Sequence, residues 1–171
     1  ELPFSGGAIG FVGYDLARTL GELGPRQGLG SWPDMAVGLY DWAVIVDHVR
    51  QRSWFVRAGR DPRGGDPWRA VLQQLQAATG AAPTVARAEG RLLEHGLDQT
   101  AYRRAFAQIQ RYIRDGDCYQ VNFAQRFRAR TGSDAWTLYQ HMRRDNPAPF
   151  GALLEYPFGQ VLSSSPEQFL Q

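Results

Sequence analysis

A strongly apolar run, Ala36 to Asp47, leads straight into His48-Val49-Arg50-Gln51-Arg52 and then a second β-forming segment, Ser53 to Arg57. An apolar run bounded by a polar turn and a matching partner is predicted to be a buried strand that doubles back as a hairpin. The rest of the chain must then pack around antiparallel strands. Upstream, Gly6-Gly7-Ala8-Ile9-Gly10-Phe11-Val12-Gly13-Tyr14-Asp15 mixes glycine with β-formers. That mixture predicts a strand closely approached by other backbone. It fits neither the P-loop pattern nor G-x-G-x-x-G, and no helix start follows it, so a phosphate cradle is the poorer reading. A loop rich in Gly and Pro is expected from Gly21 to Pro33.

Asp66-Pro67 is a helix start, with aspartate as cap and proline in the first turn. Trp68, Val71, Leu72 and Leu75 then share one face. Gly80 to Gly96 lacks periodicity and reads as a connector, dividing the chain into 1–79, a connector 80–97, and 98–171. From Asp98, the apolar stripe Tyr102, Phe106, Ile109 and Ile113 opposes Arg103, Arg104, Gln108, Arg111 and Arg114, and Gly116 ends the helix. Residues 118 to 129 alternate. Tyr119, Val121, Phe123 and Phe127 are expected on a core face, with Gln120, Asn122, Ala124 and Arg126 opposite. Ser133 or Asp134 should cap a helix carrying Trp136, Tyr139 and Met142. Strands Phe150 to Glu155 and Gln160 to Ser164 follow, joined by Tyr156-Pro157-Phe158-Gly159. Hairpins and helices in blocks, without βαβ alternation, predict an α+β fold of antiparallel sheets flanked by helices.

Composition removes several functions. The 171 residues are 43% hydrophobic, enough for a core, and the net charge is only +2. All 19 basic residues are arginine. They are scattered rather than clustered on one face, which argues against nucleic acid. Without lysine this chain offers no Schiff base. A single cysteine, Cys118, excludes an internal disulfide and a cysteine-based zinc cage, and a reducing cytoplasm is expected. No apolar run approaches membrane-spanning length, and no signal sequence is visible. His48, His95 and His141 share no metal-ligand spacing, and Asp47-His48 reads as turn chemistry. The first residues, Glu1-Leu2-Pro3-Phe4, and the last, Phe169-Leu170-Gln171, suggest a piece of a longer protein.

Two segments carry candidate chemistry. Gln120 and Asn122 lie two apart, and uncharged amides that both donate and accept suit a polar ligand; a solvated face is the alternative. In Ser163-Ser164-Ser165-Pro166-Glu167, an apolar strand delivers hydroxyls and then a carboxyl beside a proline. Such a carboxyl, partly buried, can act as a general acid, the alternative being an exposed glutamate in a turn.

Five blocks, in order, resemble the chorismate-utilising enzymes, closest to aminodeoxychorismate synthase component I. They are Gly6 to Asp15, Pro33 to Trp42 continuing to His48, Asp115 to Phe127, Asn146-Pro147-Ala148-Pro149-Phe150, and Ser165-Pro166-Glu167-Gln168-Phe169. The resemblance implies the chorismate-binding fold and an enzyme that adds ammonia to chorismate, giving 4-amino-4-deoxychorismate for p-aminobenzoate and folate. Glutamine at the position of Gln120 marks the members that add ammonia, where those adding water carry a lysine base; Asn122 favours the aminodeoxychorismate branch. The resemblance assigns Glu167 as general acid/base. It places the magnesium ligands and a nucleophilic lysine beyond Gln171, so that this chain alone should be inactive. It implies a glutaminase partner supplying ammonia, and an amino-acid effector pocket, for tryptophan, walled by Pro149 and Phe150. Anthranilate synthase component I and an amino-acid-binding regulatory lobe are the alternatives.

Overall fold

The computed structural model describes residues 2–21, 32–78 and 90–168. Eight strands and three α-helices occur among them, and every strand pairing is antiparallel, so the fold is α+β. The chain divides into two compact units, Glu1–Pro83 and Thr84–Gln171. Positions 22–31 of the expected Gly/Pro loop and positions 80–89 of the expected connector lie outside the described residues.

In the first unit, β1 (Gly7–Val12) pairs with β2 (Met35–Tyr40), and β3 (Trp42–Asp47) pairs with β4 (Arg52–Arg57). The single apolar strand expected over 36–47 is therefore two strands in two separate ribbons. Asp41 is the break. Its side chain accepts the Arg60 N–H at 2.7 Å and the Arg57 Nε–H at 3.3 Å, and its carbonyl accepts from Ala58 N at 2.7 Å. The bonds to its side chain hold the Asp41 carboxyl below the usual range, the Arg60 amide first and then Arg57. The Ala58 bond continues the β3–β4 register by one step, so Asp41 sides with that ribbon and the β1–β2 pairing ends at Tyr40.

The β3–β4 hairpin forms as expected, and its turn is chemical. Asp47 Oδ1 accepts from the Val49 and Arg50 amides, both at 2.9 Å, which answers the Asp47-His48 pair as turn chemistry. The glycines of β1 also behave as anticipated. A Cβ on Gly10 would run into the Ala36 carbonyl and lie 2.7 Å from Val37 Cα, so only glycine admits β2 this closely. Helix α1 (Pro67–Ala77) starts at Asp66, which accepts from Trp68 N at 3.2 Å. Trp68 then sets its ring 5.1 Å from Phe55, which stacks on Trp42 at 5.7 Å.

The second unit repeats the plan. β5 (Gly90–His95) pairs with β6 (Phe127–Thr131), and β7 (Phe150–Tyr156) pairs with β8 (Gly159–Ser165). β5 lies inside the stretch expected to be a connector. Its irregular register between Leu92 and Glu94 breaks the alternation that would have revealed it. That bulge also sets Glu94 opposite Arg128, where the two form an ion pair of 3.2 Å.

Helix α2 (Gln99–Asp115) is capped by Asp98 and ended by Gly116, whose φ of 83° is the left-handed geometry glycine adopts without strain. Helix α3 (Ala135–Asp145) packs on β7 and β8. Of the two caps considered, Asp134 is the one used: it accepts from the Thr137 N–H at 2.9 Å and the Thr137 hydroxyl at 2.8 Å.

Those bonds, the Thr137 amide first, lower the Asp134 pKa. A carboxylate whose folded pKa is depressed stabilises the fold above its unfolded value, near ~3.9, and that contribution is lost as pH falls through the folded value. The expected result is a thermal midpoint that falls with acidification in the wild type more steeply than in D134N, between pH ~5 and ~3. Parallel curves for the two proteins would refute it.

No apolar side chain among the described residues is fully buried. Each ribbon has only two strands, and such ribbons need a third strand or a packed helix to gain independent stability. The apolar face of β1–β2 shows the consequence, with Leu39 87% exposed and Met35, Val37 and Val12 beside it also exposed.

Candidate functional site

The site candidates all lie in the second unit. After Gly116 the chain runs through residues 117–126 without joining a ladder, and β6 begins only at Phe127. The strand expected over 118–129 is thus an extended segment followed by a short strand. Its expected core face is also wrong, since Tyr119 is 98% exposed, Phe127 is 61% exposed and Val121 is exposed as well. Only Phe123 is drawn in, stacked on Tyr102 of α2 with ring centroids 5.2 Å apart. The alternation was real in the sequence, but among the described residues no strand pairs with 118–126 to turn it into two faces.

Gln120 and Asn122 do come together. Gln120 Nε2 donates to Asn122 Oδ1 at 3.3 Å, and both side chains are exposed. Adjacent positions of extended backbone point apart and alternate ones point together, which is why this two-residue spacing aligns the amides. Each amide retains further donors and acceptors for a ligand. Cys118, just before them, is half-buried.

Glu167 follows the end of β8 and is exposed. Its backbone is held by Ser165, whose hydroxyl donates to the Glu167 carbonyl at 2.9 Å and accepts from the Glu167 N–H at 3.5 Å. Ser164, on the opposite face, donates to the Asn146 carbonyl at 2.9 Å and accepts from Asn146 Nδ2 at 3.1 Å. The serine run therefore ties the β8 end to the end of α3. Among the described residues, no hydrogen bond joins Glu167 to the Gln120–Asn122 pair.

A concavity of about 230 Å³ lies where α3 meets the β7–β8 hairpin, lined by Tyr139, Arg143, Asn146, Pro149, Ser163 and Ser164 among others. Arg143 sits over the Tyr139 ring, 5.8 Å from its centroid. Pro149 lines this concavity. Phe150 does not: it begins β7 opposite Ser165 and is 45% exposed, because successive strand residues point to opposite faces. Sequence reasoning missed Arg143. The four-residue spacing of Tyr139 and Arg143 on one helix was the available signal for it.

Among the described residues, no group of three or more His, Cys, Asp or Glu side chains could hold a metal ion. The groups present therefore do not fit a magnesium site, and no step is derived through one. No helix among the described residues is long and apolar enough to cross a membrane.

The arrangement defines a class: an α+β lobe of paired ribbons with an amide pair and a carboxylate on exposed segments. The fold is that of anthranilate synthase component I from Streptococcus pneumoniae, with a TM-score of 0.73 and 24% identity over 98% of this chain and 40% of that one. The chorismate binding enzyme family matches residues 1–171, and the chain belongs to that family. It is 43% identical to aminodeoxychorismate synthase component 1 of Klebsiella aerogenes, over 100% of this chain and 36% of the relative. It is 38% identical to the protein of that name from Escherichia coli, over 99% of this chain and 36% of the relative. The chain thus spans about a third of the length of these relatives.

Proposed function

We propose that this chain is part of an aminodeoxychorismate synthase that adds ammonia to chorismate to give 4-amino-4-deoxychorismate. The observation that carries the reading is the exposed pair Gln120–Asn122 within a chain more similar to the aminodeoxychorismate synthases than to the anthranilate synthase that shares its fold. A neutral amide suits ammonia, which is already a nucleophile, whereas water would need a base at that place.

Glu167 then acts as general acid and base. As the acid it gives its proton to the departing ring hydroxyl, which leaves as water while the C–O bond breaks. The nitrogen lone pair forms the new C–N bond, and the carboxylate takes the surplus proton from the nitrogen. Gln120 and Asn122 orient the substrate and the incoming nitrogen through their free donors and acceptors. A glutaminase subunit supplies the ammonia.

The test is the full-length synthase carrying this sequence, supplied with chorismate, ammonium and magnesium. Accumulation of 4-amino-4-deoxychorismate is expected. Anthranilate as the main product, or isochorismate formed without ammonium, would replace the reading.

The concavity at Pro149 supports a second reading, an amino-acid effector site for tryptophan. Arg143 offers its carboxylate a cation, and Tyr139 and Pro149 offer apolar cover. Titration calorimetry of the full-length protein should show tryptophan heat that disappears in R143A. Heat unchanged by that substitution would exclude this wall.

A further inference from the structure

We infer that Ser165 is a positioning residue for Glu167, its hydroxyl setting the direction in which the Glu167 carboxyl leaves the end of β8. The inference rests on Glu167 acting at the reacting centre.

Ser165 is the last residue of β8 and pairs with Phe150 across the hairpin, so its backbone belongs to the sheet. Its neighbour Ser164 is pinned to Asn146 at the end of α3 by two hydrogen bonds, 2.9 and 3.1 Å long. The platform is therefore held from both sides. Past β8, residues 166–168 join no ladder, and two features limit how Glu167 turns. Pro166 restricts its own φ to about −65°. The Ser165 hydroxyl then closes the turn, donating to the Glu167 carbonyl at 2.9 Å and accepting its N–H at 3.5 Å.

One hydroxyl thus engages both backbone polar groups of Glu167. Remove it and the peptide after Pro166 is free to rotate, carrying the carboxyl with it. General acid catalysis is sensitive to this, because proton transfer needs heavy atoms within hydrogen-bond reach. A misplacement of ~1 Å can cost about a hundredfold in rate. The hydroxyl bonds to the backbone of Glu167 only, so its loss is expected to fall on the chemical step and to change chorismate binding little.

The experiment uses the full-length synthase with chorismate and ammonium, comparing S165A, S165T, S165V and E167Q. S165A is expected to lower kcat about ten- to a hundredfold, with KM for chorismate within about twofold of wild type. S165T keeps the hydroxyl and should restore kcat to within about threefold, while S165V, of the same shape without it, should not. The threonine–valine comparison cancels packing, so it decides the matter even where S165A folds poorly. Equal kcat for S165T and S165V, or S165A matching wild type while E167Q is inactive, overturns the role of Ser165 and leaves that of Glu167 intact. An active E167Q overturns the reading of Glu167 itself.

Discussion

Glu167→Gln in the full-length synthase is expected to lower kcat by roughly 10²- to 10⁴-fold, the range that positioned general acid–base groups contribute. Glutamine keeps the size and the carbonyl acceptor but can neither give nor take the proton. The Ser165 bonds go to the backbone of residue 167, so the turn should survive the substitution. KM for chorismate should therefore change little, placing the loss in the chemical step. Initial rates with ammonium across a chorismate series check this. A kcat within threefold of wild type would remove Glu167 from the mechanism.

The isolated 171-residue chain is expected to turn over no chorismate, even with ammonium and magnesium present. The physical reason lies in exposure. Gln120, Asn122 and Glu167 all sit on exposed segments. Hydrogen bonds and charges in open water stabilise a transition state far less than the same groups in a water-excluded site. The donor clusters for a metal are also absent among the described residues. Formation of 4-amino-4-deoxychorismate by the isolated chain, above the rate without protein, would show that the described groups suffice.

The same exposure makes a statement about stability. With Leu39 87% exposed and its apolar neighbours uncovered, the β1–β2 ribbon presents surface that tends to associate.

Much of the architecture was legible because its signals are local. Asp66-Pro67, Asp98 and Gly116 act through bonds within a few residues, so the ends of α1 and α2 can be read directly. The β3–β4 turn is similar, since Asp47 holds amides only two and three residues ahead. Where the reading failed, the deciding partner was distant in the chain. Asp41 splits the apolar run because Arg60, nineteen residues on, donates to it. β5 escaped notice because a bulge, defined only by its register with β6, removes the period. The alternation at 118–129 misled because period 2 describes a strand only where another strand lies alongside.

The candidate site divides in the same way. Residue types and spacing marked Gln120, Asn122 and Glu167, and two-residue spacing alone foretold that the amides would face the same way. The Ser164–Asn146 lock, the Ser165 hold on Glu167, and the departure of Phe150 from the Pro149 wall required the three-dimensional register of β7 on β8.

The apolar run with which the chain is first constrained shows the division most clearly. By itself the sequence determined that residues 36–57 must be antiparallel β-structure, because hydrophobic patterning and turn chemistry act over neighbouring residues. Only the tertiary structure decided that the run is two strands in two ribbons, because the bonds that end one and begin the other come from Arg57, Ala58 and Arg60. Backbone polar groups must find partners, and where those partners are remote in sequence, folding alone reveals them.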